Sequence, residues 1–252
     1  MPNTAGHRVY AIGDIHGCLA EFAEVIARVR TDLENHPHPQ PLLVLIGDYI
    51  DRGPDSRGVM DALITLEQAA LPTVFLIGNH DAMLLDYLSD PVEWASQKYH
   101  WFHAALGGDK TVASYGVADA DPYDPAAVQS AIRAAVPDTH REFLERATLY
   151  KVVGDYLFVH AGIRPGIPLE DQVRDDLIWI RDPFLLESGP HPHIIVHGHT
   201  VVPRVQHHHN RIAIDTGAVF GGTLSCLVFE GAEVWDLQPN GRLACPPGTG
   251  LN

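Results

Sequence analysis

VYAIGDIHGCLAEF, residues 9–22, joins a short apolar run to a helix through Gly13-Asp14-Ile15-His16-Gly17. The run reads as a buried strand, and Asp14 and His16 stand two residues apart at its carboxyl end. In extended chain, side chains at i and i+2 point to one side, so a carboxylate and an imidazole converge just beyond the sheet edge. A metal-ligand pair has this form. An Asp after a strand is equally a helix N-cap or a turn former, so the stretch alone does not choose.

The rest of the chain repeats the arrangement. VLIGDYIDRGPDS, VFLIGNHD, LFVHAGI and IIVHGHT are also apolar strands that end in polar, metal-capable residues. Between the early ones lie helices: CLAEFAEVIARVRTDLEN has helical apolar spacing and is broken by HPHPQP, and SRGVMDALITLEQAA follows Asp55 or Ser56 as N-cap. Strand, loop and helix in repetition imply a largely parallel sheet with functional loops at the strands' carboxyl ends. Parallel strands then bring Asp14, His16, Asp48, Asn79, His160 and His199 to one edge.

Residues 84 to about 150 differ in texture, with Trp94, Tyr99, Trp101 and Phe102, then LGGDKTVASYG and an amphipathic run around PAAVQSAIRAAVPDTHREFLERA. They are expected to form a mostly helical insert that caps the site within a single domain spanning residues 1–252. The last third turns to β-structure, with a hairpin about Gly154-Asp155 and further strands in RIAIDTGAVF, TLSCLVFEG and AEVWDLQ. The tail PPGTGLN is expected to be loose.

Composition limits the function. Seventeen Lys and Arg against 32 Asp and Glu give a net charge of −15, which opposes nonspecific attraction to nucleic acid or anionic lipid. No run approaches the roughly 18 apolar residues of a membrane span. The first strand begins within about eight residues of the N-terminus, too early for a signal peptide, so a cytoplasmic location is expected. Cys18, Cys226 and Cys245 are odd in number and lack ligand spacing, which argues against a disulfide framework. An anionic phosphorylated substrate would need its own concentration of positive charge.

The order GDIHG, GDYIDRG, GNHD, HAG, GHT resembles the metal-dependent phosphoprotein phosphatases, within the calcineurin-like metallophosphoesterases, from about Arg8 to Phe229. LGGDKTVASYGV, VGDYLFVHAGIRPGIPLEDQ, DLIWIRDPFL and NRIAIDTGAVFGG are similar to its bacterial serine/threonine members. The resemblance implies an α/β fold: a central mixed β-sandwich flanked by helices, with two metals at one edge. It implies that Asp14, His16 and Asp48 bind one ion, and that Asp48 bridges to a second held by Asn79, His160 and His199. Mn²⁺ is the expected ion, with iron or zinc also compatible with these ligands. Two carboxylates and one bridging hydroxide leave two divalent ions a net single positive charge, attractive to phosphate.

The resemblance further implies direct attack by a hydroxide shared between the metals, His80 as general acid oriented by Asp51, and Arg52 and Arg181 gripping phosphate oxygens. The expected substrate is a phosphoserine or phosphothreonine protein, or a small phosphoester; oligomeric state is not legible. LIGNHD and DTGAVFGGTLSCL also resemble symmetrical diadenosine tetraphosphatases, which makes dinucleoside polyphosphate cleavage the alternative. A non-catalytic phosphate-binding regulator is a second alternative, disfavoured by the intact ligand and acid set. Val201 stands where many metallophosphoesterases have a second histidine, which favours the protein-phosphatase branch. His197 is expected in the core or behind the ligands, and His207, His208 and His209 in an exposed turn. Ile77 replaces a cation found in many relatives; it either finishes a buried strand or weakens the hold on small phosphomonoesters.

Overall fold

The computed structural model describes residues 1–89, 100–117 and 124–250. Two sheets carry the architecture. The first has strand order β11-β10-β9-β1-β2-β3 and the second β4-β5-β6-β8-β7. In the first sheet, β1 (Arg8–Ile12), β2 (Pro41–Leu45) and β3 (Thr73–Phe75) are parallel, and β9 (Cys226–Glu230), β10 (Glu233–Gln238) and β11 (Gly241–Ala244) add an antiparallel wing. In the second, β5 (Tyr156–Val159), β6 (Ile194–His197) and β8 (Arg211–Ala213) are parallel, edged by antiparallel β4 (Tyr150–Val153) and β7 (Gln206–His207).

The apolar runs are continuous because both faces of each central strand are covered. Along β1, Tyr10 and Ile12 face one hydrophobic cluster while Val9 and Ala11 face another. The first cluster lies under α1 (Leu19–Asn35) and α2 (Ser56–Glu67), through Phe22, Val25, Val59 and Leu63. The second is the sandwich interior, where Val44 and Phe229 of the first sheet meet Phe158, Val196 and Ile212 of the second. Leu157, Val159 and Ile195 on the outer face of the second sheet pack with Leu177, Ile178 and Phe184. This is the expected α/β architecture of mixed sheets flanked by helices. Asp55 is the N-cap of α2, its carboxylate accepting from Gly58 N–H at 2.8 Å, and Ser56 is the first helical residue.

After α3 (Asn79–Ser89) the described part of the insert holds α4 (Gly108–Ser114), α5 (Pro125–Ala135) and α6 (Asp138–Arg146). Trp94 and Tyr99 lie outside the described residues. Val128, Ile132, Phe143 and Leu144 of α5 and α6 join the cluster beneath α1 and α2, so this part extends the main core. The stretch through Trp101 and α4 is what reaches the strand ends. Two expectations fail. The tail is tied down through Gly250, because His207 N–H donates to Thr249 O (2.9 Å) and Gly248 N–H to His207 O (2.7 Å). For the same reason His207 is buried in β7, its Nδ1 2.6 Å from Cys245 O. All three cysteines are buried and unpaired, and no described helix is long and apolar enough to cross a membrane.

Candidate active site

The carboxyl ends of β1, β2, β3, β5 and β6 bring the expected residues to one edge, with Asp48 at the centre. Its Oδ2 lies 3.4 Å from His16 Nε2 and 3.4 Å from His160 Nε2. Both rings are oriented from behind, with His16 Nδ1 2.8 Å from Ile50 O and His160 Nδ1 2.9 Å from Ile46 O. A carbonyl only accepts, so Nδ1 carries the proton and Nε2 is the atom turned toward Asp48. Asn79 Oδ1 lies 3.0 Å from His160 Nε2 and 2.8 Å from His199 Nδ1. Burial holds His16 and His199 well below the ordinary imidazole range. Burial also disfavours charge on His160, but Asp48 outweighs it and lifts His160 to about 9.

Among the described residues two groups could hold cations: His16, Asp48 and His80, and Asp48, His160 and His199, with candidate ligand atoms within 4.8 Å of one another in each. Asp48 is common to both. Asp14, expected beside His16, falls outside these groups; its Oδ2 accepts from His199 N–H at 3.1 Å. Asp14 Oδ1 and His199 Nε2 are buried with no hydrogen-bond partner. Buried polar atoms are nearly always paired, so these orphans, with imidazole nitrogens turned on a carboxylate, fit a divalent-metal site. Gly78 and Gly198 make the close approach possible: a Cβ would stand 2.1 Å from Asp48 Oδ1 at Gly78 and 2.0 Å from Asp14 Oδ1 at Gly198.

His80 opens α3 beside this cluster, its ring edge-on to His16 at 4.7 Å. Its Nδ1 is 2.8 Å from Asp51 Oδ2, which also accepts from Trp101 Nε1–H at 2.8 Å, while Thr111 Oγ1 donates to Asp51 Oδ1 at 2.6 Å. Asp51 is thereby locked, and Nδ1 is the His80 nitrogen it fixes. Arg52 is half-buried, with Nη1 2.6 Å from His16 Nε2 and its backbone N–H donating to Gly107 O at 3.2 Å. Arg181 is exposed and donates from Nη2 to His199 O at 3.4 Å.

His16, Asp48, Asp51, Arg52 and His199 have φ between 45° and 72°, in the left-handed region. Such non-glycine backbone costs about 1–3 kcal/mol each and persists where surroundings enforce it. At Asp48 the enforcer is Asp81, to which sequence reading assigned no role. The Asp81 carboxylate accepts from Asp48 N–H (2.8 Å), Tyr49 N–H (2.9 Å) and Gly78 N–H (2.9 Å), riveting the β2 loop to the start of α3. Asp215, likewise without an expected role, is buried, and its charge helps burial raise Asp14 well above the carboxylate range. Asp81 in GNHD and Asp215 in RIAIDTGAVF both stand within strand-end motifs, which is the sequence signal that marks them.

Ile77 resolves to the buried alternative. It is 7% exposed and packs with Ala82, Val159, Ile178 and Phe184, so it offers the phosphate site nothing. His197 is fully buried edge-on to Phe184 at 5.0 Å, and burial, with Arg211, lowers it to about 3. Neither it nor His207, His208 or His209 belongs to a cation-binding group among the described residues.

Comparison with known proteins agrees with this geometry. Residues 7–226 match the family described as calcineurin-like phosphoesterase. The chain is 29% identical over 246 residues to the asymmetrical bis(5'-nucleosyl)-tetraphosphatase PrpE of Anoxybacillus flavithermus, covering 88% of this chain and 90% of that protein. It is 30% identical over 162 residues to a symmetrical bis(5'-nucleosyl)-tetraphosphatase of Nitrosospira multiformis, covering 64% of this chain and 46% of that one. In fold it is similar to a cold-active protein-tyrosine phosphatase of a psychrophilic Shewanella, at 17% identity and TM-score 0.60, covering 96% of this chain and 83% of that one. Motif order, metal-fitting strand ends and a match over most of the chain lead to one conclusion: the chain belongs to the calcineurin-like phosphoesterase family and is a metal-dependent phosphoesterase.

Proposed function

We propose that this phosphoesterase hydrolyses dinucleoside polyphosphates, with a bis(5'-nucleosyl) tetraphosphate as its preferred substrate. The observation that carries the reading is similarity to the asymmetrical tetraphosphatase along 88% of this chain and 90% of that one. The protein-phosphatase reading of the motifs gives way to the alternative expected beside it, because likeness to protein phosphatases at 17% identity speaks for fold alone.

Asp48, His16, His160, His199 and Asn79 would hold two divalent ions, with Asp14 completing the set. Mn²⁺ is the proposed occupant, and Fe²⁺ and Zn²⁺ are the competitors for a mixed imidazole and oxygen set. Bound there, the ions supply Lewis acidity that activates water and neutralises phosphoryl oxygens. Arg52, tethered by its backbone to Gly107, and Arg181, beside His199, each present a guanidinium fork matched to phosphate oxygens. His80 presents Nε2, since Asp51 holds Nδ1, and delivers a proton to the departing oxygen. Trp101 and Thr111 keep Asp51 from turning away.

The test is a comparison of kcat/KM on diadenosine tetraphosphate, a phosphoserine peptide and nitrophenyl phosphate, with Mn²⁺, Fe²⁺ and Zn²⁺ in turn. Tetraphosphate is expected to be preferred by at least about tenfold, and chromatography of the products separates cleavage to ATP and AMP from cleavage to two ADP. Preference for the peptide would return the protein-phosphatase reading. No turnover of any substrate by fully metallated protein would favour a phosphate-binding regulator.

A further inference from the structure

Single exposed apolar side chains are ordinary on a protein surface, so what singles one out is its place beside functional groups. Two exposed aromatic side chains among the described residues sit against active-site residues: Phe220, 64% exposed, and Trp179, 40%. Phe220 ends a short turn, Ala218–Phe220, held between left-handed Gly217 and Gly221, with Gly221 N–H donating to Ala218 O and Gly222 N–H to Gly217 O. The Arg52 guanidinium lies over the Phe220 ring at 5.5 Å, and the same guanidinium reaches His16. Trp179 closes α7 (Arg174–Trp179), edge-on to the His199 ring at 5.9 Å, and Arg181 two residues on donates to His199 O. Each of the two candidate cation groups thus has its own arginine and its own exposed aromatic.

We propose that Phe220 and Trp179 are the specificity-determining platforms on which the nucleobases of the substrate stack, one beside each half of the metal cluster. The inference rests on the dinucleoside reading and adds to it where the bases go. A dinucleoside polyphosphate carries an anionic chain between two flat π-systems. An arginine that grips phosphate next to an aromatic that stacks a base matches each end. Stacking of this kind tolerates any base, so the platform selects for a nucleoside and not for adenine alone.

The experiment measures kcat/KM on diadenosine tetraphosphate divided by kcat/KM on nitrophenyl phosphate, so that any disturbance of Arg52 common to both substrates cancels. Phe220→Ala and Trp179→Ala are each expected to lower this ratio about tenfold, within the range for one lost base stack. Phe220→Tyr should restore the ratio. Phe220→Leu, apolar but not aromatic, should not. A ratio unchanged in both alanine variants, or restored by leucine, overturns the proposal. A second measurement separates it from the reading beneath it: AMP and inorganic phosphate as inhibitors of nitrophenyl phosphate hydrolysis. AMP should inhibit about tenfold better than phosphate in the parent protein, keep part of that advantage in either single alanine variant, and lose it when Phe220→Ala and Trp179→Ala are combined. If the tetraphosphate is not hydrolysed but the AMP advantage depends on these rings, the platform stands and the proposed function falls. If the tetraphosphate is hydrolysed equally well without them, the function stands and the platform falls.

Discussion

Asp32 and Asp14 are both buried carboxylates served by the same sheet, yet their surroundings are opposite. Arg242 donates to Asp32 through Nε at 2.8 Å and Nη2 at 2.7 Å, and Tyr10 Oη–H donates at 2.6 Å. Burial pushes Asp32 up, but Arg242 and Tyr10 outweigh it and hold the carboxyl below its usual range. Asp14 has one oxygen without a partner, and burial with the Asp215 charge drives it well above that range. A charge that serves the fold is fully paired by the fold. At the strand ends the protein leaves lone pairs open and holds loops in left-handed backbone, a cost that a bound cation and substrate recover.

The sharpest way to break this contrast is Asp48→Ala. Because Asp48 belongs to both candidate groups, the variant should lose both ions and fall to background turnover. Metal analysis beside an activity assay checks this, and full metal occupancy with full turnover would remove Asp48 from the centre of the site.

His80→Ala comes next. It should lower kcat on alkyl phosphates by roughly 10² to 10⁴, the range for a lost general acid. Acidic leaving groups, nitrophenol and the nucleotide expelled from a tetraphosphate among them, should suffer less. Equal losses across leaving groups would mean that His80 does not deliver the proton.

The two aspartates can be compared directly by urea unfolding of chelator-treated protein. Asp32→Asn should destabilise by about 2 kcal/mol, because the half-buried Arg242 guanidinium loses the carboxylate it grips through two hydrogen bonds and keeps only the more distant Glu230 at 3.8 Å. Asp14→Asn should be neutral or stabilising, since it removes a charge that faces another carboxylate. A loss at Asp14 equal to that at Asp32 would erase the distinction between a paired carboxylate and an open one.

The smallest expected effect is in pH dependence. Asp32 has a lowered native pKa, so at acid pH the unfolded chain binds its proton more readily than the native protein does. Its contribution is complete above about pH 5 and is lost as pH falls through the unfolded value near 3.9 toward the lower native one. Unfolding free energies from pH 6 to pH 3 should therefore fall less steeply in Asp32→Asn than in the parent; parallel slopes would show that Asp32 is not the titrating group.

Much of this molecule was legible from its strands. Continuous apolar runs ending in GD, GN or HG announce their own secondary structure, and parallel strands must present those ends at one edge, so the gathering of His16, Asp48, Asn79, His160 and His199 follows from pattern and topology. What pattern could not reach was which atom faces which. Asp14 and His16 are neighbours in sequence, yet Asp14 turns to His199 N–H, 185 residues away, and not to His16's partner Asp48. Ile77 lies two residues from a candidate ligand and faces an apolar cluster. The triple histidine splits between a buried strand and a turn because the tail pairs with His207, a contact 42 residues distant in the chain, from His207 to Thr249. Hydrophobic period is a local property and is written in any ten residues. The Asp51 lock on Trp101 and Thr111, the Asp81 rivet and the Arg52 seat on Phe220 are pairings across long loops, and only closure of those loops around a packed core decides them.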